Sequence, residues 1–229
     1  AGVLNAPIVI TGQRYVSGAV LGGGTPLPST EDVEAVLDGM PVSRVPLTIG
    51  GDVLSAGPDG RLRTRCVEGQ VALAVAAFEG RVTDVRLSPS DAPATPEALS
   101  AIELADWVVL GPGSLYTSVL PHLLMPDVRA ALAATTARRL MVLNLRTGDQ
   151  ETTGLTHADH LKVLRSYAPD LRLDVVIADV DAVTDRAAVE AEAARMGARV
   201  AFSRVSSAQD PQVHDPLRLA VAIDEAMTH

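Results

Sequence analysis

The chain has 229 residues, of which 47% are hydrophobic, and its formal net charge is −9. This length and apolar content suffice for one sizeable core, so we expect a single domain over residues 1–229. The negative charge and the 3% aromatic content argue against a protein that follows a phosphate backbone or stacks on bases. No nucleic acid partner is expected.

Cysteine use and hydropathy predict a cytoplasmic protein. The lone Cys66 cannot form an internal disulfide, and no stretch approaches the roughly 18 to 20 apolar residues of a membrane span. The opening segment Ala1 to Tyr15 lacks the basic and apolar regions of a secretory signal. We therefore expect neither a membrane span nor an oxidising compartment.

The part of the chain before Pro96 is predicted to be antiparallel. Short apolar runs are separated there by turns that contain glycine, and such strands form an edge or a small subdomain beside a larger sheet. The predicted strands are Val45 to Ile49, Arg61 to Arg65, Gln70 to Ala77 and Val82 to Leu87.

From Pro96 onward, strand-length apolar runs alternate with segments of helical period. Thr95 is a predicted N-cap for a helix from Pro96 to about Ala105, and a strand from Trp107 to Leu110 follows it. Two short helices are then predicted, from about Thr117 to Leu124 and from Asp127 to about Ala134.

The alternation continues to the end of the chain and predicts parallel βαβ units. We therefore expect a Rossmann-like α/β fold, a mostly parallel sheet with helices on both faces. The predicted elements are a strand from Leu140 to Leu145 with a second loop from Asn144, a helix capped by Thr156 and Asp159 that runs to about Tyr167, a strand from Asp174 to Ala178, a helix from Asp185 to Met196 capped by Thr184 and ended by Gly197, a strand from Val200 to Phe202, and a final helix opened by Asp215-Pro216.

The segment Gly111 to Ser118, Gly-Pro-Gly-Ser-Leu-Tyr-Thr-Ser, is the predicted ligand loop. It follows a strand directly, so it lies at the carboxyl edge of the sheet, where open α/β sheets bind ligands. Its glycines expose amides, and Ser114, Thr117 and Ser118 supply hydroxyls at a helix start, which together favour an anion site. No lysine accompanies them, so the loop is not a Walker loop. Glycine spacing alone fits an ordinary strand-to-helix turn equally well.

The sequence around this loop resembles one known family. Ala105-Asp-Trp-Val-Val-Leu110, the loop itself and Val119-Leu-Pro-His-Leu-Leu124 together strongly resemble the gluconeogenesis factor family of YvcK-like proteins. The similarity continues, in order, through Glu68 to Ala72, Val142 to Asn144, Glu151 to Gly154, His160 and His214 to Pro216, and it covers roughly residues 40–229.

This resemblance implies a fold like that of the CofD-like 2-phospho-L-lactate transferases. It implies a regulatory protein that binds the nucleotide sugar UDP-N-acetylglucosamine and supports gluconeogenic growth, cell shape and cell-wall synthesis in bacteria. Partners in cell-wall synthesis and a homo-oligomer are expected on the same basis. The implied nucleotide-binding residues are Gly111, Pro112, Gly113, Ser114, Leu115, Tyr116, Thr117 and Asn144, with Thr152 and His160 as further candidates.

The chain departs from the family pattern near its beginning, where residues 1–39 are divergent or truncated. The segments Asp-Asp-Gly-Gly-Ser-Ser-Gly and Gly-His-x-x-Gly-Asn, expected in the family, are not found. Gly22, Gly23, Gly24 and Thr25 resemble the family's first glycine loop, but Pro26 follows them and an ordinary turn fits as well. We expect the ligand to be held mainly from one side, with a dissociation constant nearer millimolar than micromolar, a difference of about 4 kcal/mol.

Four other readings of the residues stay open or are disfavoured. A transferase of phosphorus-containing groups is the main alternative, and whether any reaction is catalysed is left open. Asp179 and Asp181 could hold a magnesium ion beside a diphosphate, although acidic residues in such loops usually cap helices or face water. A serine hydrolase using Ser114 with His122 or His160 does not fit the nucleophile-elbow pattern. His160 is equally well explained as a packed helix residue.

Overall fold

The computed structural model describes residues 48–77, 79–147, 152 and 154–228, in which two sheets are surrounded by helices. The candidate loop Gly22 to Thr25 lies outside these residues. The elements in chain order are β1 Thr48–Ala56, β2 Leu62–Glu68, α1 Gln70–Ala76, β3 Arg81–Ser88, α2 Pro96–Leu104, β4 Trp107–Leu110, a π-helical turn Leu115–Val119, α3 Leu120–Leu124, α4 Pro126–Ala134, β5 Arg138–Val142, α5 His157–Tyr167, β6 Val175–Asp179, α6 Arg186–Arg195, β7 Arg199–Ser203 and α7 Pro216–Thr228.

The first sheet is antiparallel, as predicted, with the strand order β2-β1-β3. Its central strand β1 runs beyond the predicted end at Ile49 to Ala56, because Gly50 and Gly51 lie within the strand and not in a turn. Residues 45–47 of the predicted strand lie outside the described residues. A Cβ atom on Gly51 would come within 2.8 Å of the Leu73 side chain and 2.6 Å of the Asp84 carbonyl oxygen. The strand therefore needs a glycine there so that α1 can pack closely against it.

The segment from Gln70 to Ala77 is a helix, so the predicted strand there is wrong. Gly69, at φ 99°, turns the chain out of β2. Leu73, Ala76 and Ala77 are buried while Val75 is exposed, which is a helical spacing of three and four residues. The alternating valines and leucine suggested a strand, but the alanines favour helix and tertiary packing decides the outcome.

The second sheet is parallel and has the order β4-β5-β6-β7. The carboxyl ends of its strands therefore meet at one edge, where the loops after Leu110, Val142 and Asp179 come together. Three of its strands have boundaries that differ from the prediction. β5 spans Arg138–Val142 instead of Leu140 to Leu145, β6 spans Val175–Asp179 instead of Asp174 to Ala178, and β7 spans Arg199–Ser203 instead of Val200 to Phe202.

Helices cover both faces of this sheet, as expected for a Rossmann-like fold. Met141, Leu143, Val176 and Ala178 belong to the main core, together with α3 to α6 and the buried face of the antiparallel sheet. The neighbouring residues along these strands face the opposite side of the sheet and pack with Ala222 and Ala226 of α7. These residues are Leu140, Val142, Val175 and Ile177. This alternation explains why strands buried on both faces have almost uninterrupted apolar sequences.

Helix starts follow their predicted caps, with one exception. The Thr95 hydroxyl accepts from the Ala98 amide, and Thr156 forms a capping box with Asp159. The helix predicted to be capped by Thr184 is instead capped by Asp185, whose side chain accepts from the Ala188 amide. Either residue type can cap a helix, so sequence alone did not decide between adjacent positions.

Candidate functional site

The glycine loop leaves the carboxyl end of β4 in a conformation that requires glycine. Gly111 has a φ of 74°, and it is joined to Pro112 by a cis peptide bond. A Cβ atom at Gly111 would lie 2.8 Å from the carbonyl oxygen of Val142, at the end of the neighbouring strand β5. The loop therefore passes in close contact with the end of β5, and its first residue is fixed by both backbone angle and space.

Asn144 holds this loop through both ends of its side-chain amide. Its Oδ1 atom accepts from the Gly113 amide at 3.0 Å, and its Nδ2 atom donates to the Gly113 carbonyl at 2.8 Å. Asn144 is two residues beyond the end of β5, so the side chain joins two neighbouring strand ends. Because Asn carries a donor and an acceptor at one tip, it can satisfy both backbone groups of a single residue. The loop is thus preorganised before any ligand arrives.

Ser114 begins the helical segment that follows the loop. Its hydroxyl accepts from the Thr117 amide at 3.0 Å and also forms a short hydrogen bond with the Thr117 hydroxyl. The next turn is π-helical, with the amide of Val119 donating to the Ser114 carbonyl. Pro121 lacks an N–H, so it cannot complete a regular helical bond to the preceding turn. Single π-helical turns of this kind are frequent at functional sites.

His157, at the start of α5, contacts the chain segment that contains Asn144. Its Nε2 atom lies 3.0 Å from the carbonyl oxygen of Asn144, and the side chain is 7% exposed. Burial lowers the pKa of His157, although the Asn144 and Leu145 carbonyls and the Asp179 carboxylate oppose that shift. The ring is therefore neutral at pH 7 and donates its Nε2 proton to Asn144.

His160 lies one turn further along α5 and is 2% exposed. Burial and the neighbouring His157 lower its pKa to about 4, against a favourable contact with the backbone of Thr147. Its Nε2 atom has no hydrogen-bond partner among the described residues. His160 is therefore a neutral core residue that supports the loop after β5 from within the core.

Asp179, at the end of β6, accepts four backbone hydrogen bonds. The amides of Asp181, Ala182, Val205 and Ser206 donate to its two oxygens at 2.8 to 3.0 Å. Burial would raise the pKa of Asp179, but these amides outweigh burial and leave it below its usual value. The carboxylate is thus ionised and joins the β6 and β7 loops.

The carboxylates of Asp179 and Asp181 are engaged by other groups of the protein. Both oxygens of Asp179 accept hydrogen bonds from backbone amides, and Asp181 forms an ion pair with Arg204 at 2.9 Å. The residues that the structure describes contain no group of three His, Cys, Asp or Glu that could hold a metal ion.

The sequence profile described as "CofD: 2-phospho-L-lactate transferase CofD" matches residues 40–214. The chain belongs to the CofD family. A proposed gluconeogenesis factor of Mycobacterium tuberculosis (strain ATCC 25618 / H37Rv) is 43% identical over 188 residues, which are 81% of this chain and 54% of that protein. The gluconeogenesis factor of Bacillus subtilis (strain 168) is 33% identical over 105 residues, 46% of this chain and 33% of that protein.

A solved structure shows the same fold as this CofD-family chain. The crystal structure of a member of the UPF0052 family from Bacillus halodurans aligns with a TM-score of 0.62 and 27% identity. The alignment covers 80% of this chain and 58% of that one. The chain spans about half the length of the Mycobacterium tuberculosis relative, 54%. Among the described residues of this CofD domain, no helix has the length and apolar character needed to cross a membrane.

The predicted site residues fall into two groups: some lie together at the edge of the parallel sheet, and others are buried. Gly113, Ser114 and Asn144 meet at the carboxyl edge, as their positions after β4 and β5 predicted. Leu115 and Tyr116 are 2% and 5% exposed and pack in the main core, so a ligand above the loop would meet their backbone. Of the further candidates, Thr152 and His160 are both buried, at 6% and 2% exposed.

Sequence reasoning did not identify His157 as part of this site. The signal was weak, because His157 immediately follows the predicted cap Thr156 and an N-terminal helix residue normally faces water. Its contact with Asn144 depends on how α5 docks under the loop. Sequence reasoning offered Asp179 as a metal ligand, a helix cap or a solvent-facing residue, and it did not predict that the carboxylate binds amides of the β6 and β7 loops.

Proposed function

We propose that this CofD domain binds UDP-N-acetylglucosamine with its diphosphate over the loop Gly111 to Ser118. The proposed role is that of a regulatory protein supporting gluconeogenic growth, cell shape and cell-wall synthesis. The observation that carries the proposal is the loop itself, a glycine turn at the carboxyl end of β4 held by Asn144 from the next strand end. Ligand sites of open α/β sheets lie in this position.

The physical fit to a diphosphate rests on the helical segment that begins at Ser114. The amides of a first helical turn point away from the helix toward the strand ends, and the partial positive charge there favours an anion. Ser114 adds a hydroxyl, although it is also the helix cap. The Gly113 amide is already bonded to Asn144, so the glycine supplies shape and close approach more than a donor.

The relatives support the regulatory part of this proposal. Proteins named gluconeogenesis factors match this chain in Mycobacterium tuberculosis and Bacillus subtilis. The roles in cell shape and cell-wall synthesis, the partners and the homo-oligomer come from the family resemblance alone.

The alternative is a transferase of phosphorus-containing groups, which is favoured by the name of the matching family, 2-phospho-L-lactate transferase CofD. Such a reaction needs a base or a metal near the loop. In the described part of the chain Asp179 binds four backbone amides, His157 bonds to the Asn144 carbonyl and His160 lies in the core. We therefore keep binding as the leading proposal and the transferase as the alternative.

A titration with UDP-N-acetylglucosamine tests the proposal, with UDP, UDP-glucose and GDP as comparison ligands. We expect heat of binding and a rise in melting temperature for the nucleotide sugar, since binding to the native state adds stability. No binding of any of these ligands would rule the proposal out. A new phosphorus-31 signal formed only with enzyme and a nucleotide-linked substrate would favour the transferase.

The variant Ser114→Val locates the ligand. We expect it to weaken binding by about 1 to 3 kcal/mol through lost hydrogen bonding. It also removes a helix cap, which costs about 1 kcal/mol of stability. Asp185→Ala is the matched control, because Asp185 caps α6, which lies between β6 and β7 in the chain and therefore away from the β4 edge of the sheet. It should lose similar stability with unchanged affinity, and equal affinities for the two variants would contradict the placement.

A further inference from the structure

His157 is joined to the glycine loop by a continuous series of hydrogen bonds. Its Nε2 atom lies 3.0 Å from the Asn144 carbonyl oxygen, and the Asn144 side chain binds both backbone groups of Gly113 at 3.0 and 2.8 Å. Three separate chain segments are therefore connected: the start of α5, the loop after β5 and the loop after β4. Each of these hydrogen bonds involves a backbone amide or carbonyl, so the position of one segment restricts the position of the next segment.

The role of His157 is separate from the start of its helix. Thr156 and Asp159 already form the capping box of α5, in which each side chain binds the other's backbone amide. Leu161 and Leu164 on the same helix are fully buried and supply its packing in the core. The imidazole of His157 is thus available for contacts with the backbone of Asn144 and Leu145, in the segment that holds Gly113.

Burial makes this contact effective. At 7% exposed, the His157 ring has almost no water with which to exchange its hydrogen bond, so losing the donor would leave the Asn144 carbonyl poorly paired. The charged and titratable neighbours are Asp179 on β6 and His160 on α5. Both neutral and protonated forms of the ring can donate from Nε2, so the contact does not depend on the charge of His157.

We propose that His157 is a positioning residue for the ligand loop, which fixes Asn144 and through it the conformation of Gly113. The part of this inference that concerns ligand affinity rests on the proposed function. The part that concerns the loop conformation is independent of the proposed function, because it follows from hydrogen bonds between groups of the protein itself.

Hydrogen exchange of the ligand-free full chain tests the loop directly. His157→Phe keeps the ring but removes the donor, and we expect exchange of the peptide spanning Gly111 to Ser118 to accelerate about tenfold. His157→Gln offers an amide donor of similar reach and should restore slow exchange. Unchanged exchange in His157→Phe, or no restoration by His157→Gln, would overturn the proposal.

Thr135→Val is the control for a general loss of stability. The Thr135 hydroxyl donates to the Ile102 carbonyl at 3.0 Å, between α2 and the end of α4, so its removal also costs a side-chain to backbone bond. This variant should leave exchange of the Gly111 to Ser118 peptide unchanged. Faster exchange there in Thr135→Val as well would show a global effect and would contradict a positioning role.

The ligand arm uses UDP-N-acetylglucosamine and the same three variants. We expect about a tenfold higher dissociation constant in His157→Phe, near-parent affinity in His157→Gln and unchanged affinity in Thr135→Val. Equal affinity of His157→Phe and the parent would overturn the role in binding. If the parent fails to bind while the exchange pattern holds, the proposed function fails and the positioning of the loop by His157 stands.

Discussion

The two sheets of this protein differ in how much of each strand is buried. In the parallel sheet every residue of β6 is buried, and the loops at the strand ends are held by polar side chains such as the half-buried Asn144 and the buried Asp179. In the antiparallel sheet one face packs on the core and β2 is almost entirely exposed. Its polar groups form ion pairs at the surface, for example Arg63 with Asp59. Buried polar contacts can fix a loop, whereas surface pairs contribute little.

Two glycines with nearly equal backbone angles give the largest expected difference between the two regions. Gly111 has a φ of 74° beside β5, and Gly60 has a φ of 73° in the turn between β1 and β2, with nothing within 4 Å of an added Cβ. Gly60→Ala should cost about 1 kcal/mol for the strained angle alone. Gly111→Ala adds a clash with the Val142 carbonyl and should cost about 2 to 4 kcal/mol.

Denaturant unfolding of both variants measures this difference. Equal losses of unfolding free energy would mean that the loop relaxes freely away from β5, and the close contact between the two strand ends would then be unimportant. A larger loss in Gly60→Ala would contradict the comparison altogether.

Tyr167 connects the two regions and gives the next largest effect. Its hydroxyl accepts from the Val85 amide at 2.8 Å and donates to Asp84 at 3.1 Å, which joins the end of α5 to the edge of β3. Burial raises the pKa of Tyr167, so the hydroxyl stays protonated. Tyr167→Phe leaves the Val85 amide unpaired and should lower the unfolding free energy by about 1 to 2 kcal/mol.

Asp84→Ala is the companion variant, because it removes the acceptor but keeps the bond from Val85 to Tyr167. The Asp84 side chain is 51% exposed, so we expect a loss below about 0.5 kcal/mol. Thermal or denaturant unfolding of both variants provides the test. If Asp84→Ala costs as much as Tyr167→Phe, the carboxylate and not the backbone amide is the important partner.

The sequence predicted the parallel half well because each of its signals was local. The cap at Thr95, the capping box at Thr156 and Gly197 with its φ of 87° each have a local physical cause. It also placed Asn144 beside Gly113, since strand ends of a parallel sheet share an edge. The helix at Gln70–Ala76 and the length of β1 depend on packing of Leu73 against Gly51, which no local pattern reveals. The contact of His157 with Asn144 is unpredictable for the same reason.

Asp159, in the cap of α5, gives a pH-dependent effect on stability. Contacts with Lys162 and Thr156 lower the pKa of Asp159 to about 2, below its value in an unfolded chain. A lowered pKa means that this stabilisation is present above pH 4 and is lost as the pH falls toward 2. After the effect of solvent screening is discounted, Asp159→Asn should lower the unfolding free energy by on the order of 1 kcal/mol at pH 6, and the difference from the parent should shrink below pH 4.

In the antiparallel region, Asp59→Asn removes an exposed ion pair and should lower the unfolding free energy by less than about 0.5 kcal/mol at pH 6. Unfolding free energies measured from pH 6 to pH 2.5 check both values, and a constant Asp159→Asn difference over that range would show that its carboxylate charge does not stabilise the cap.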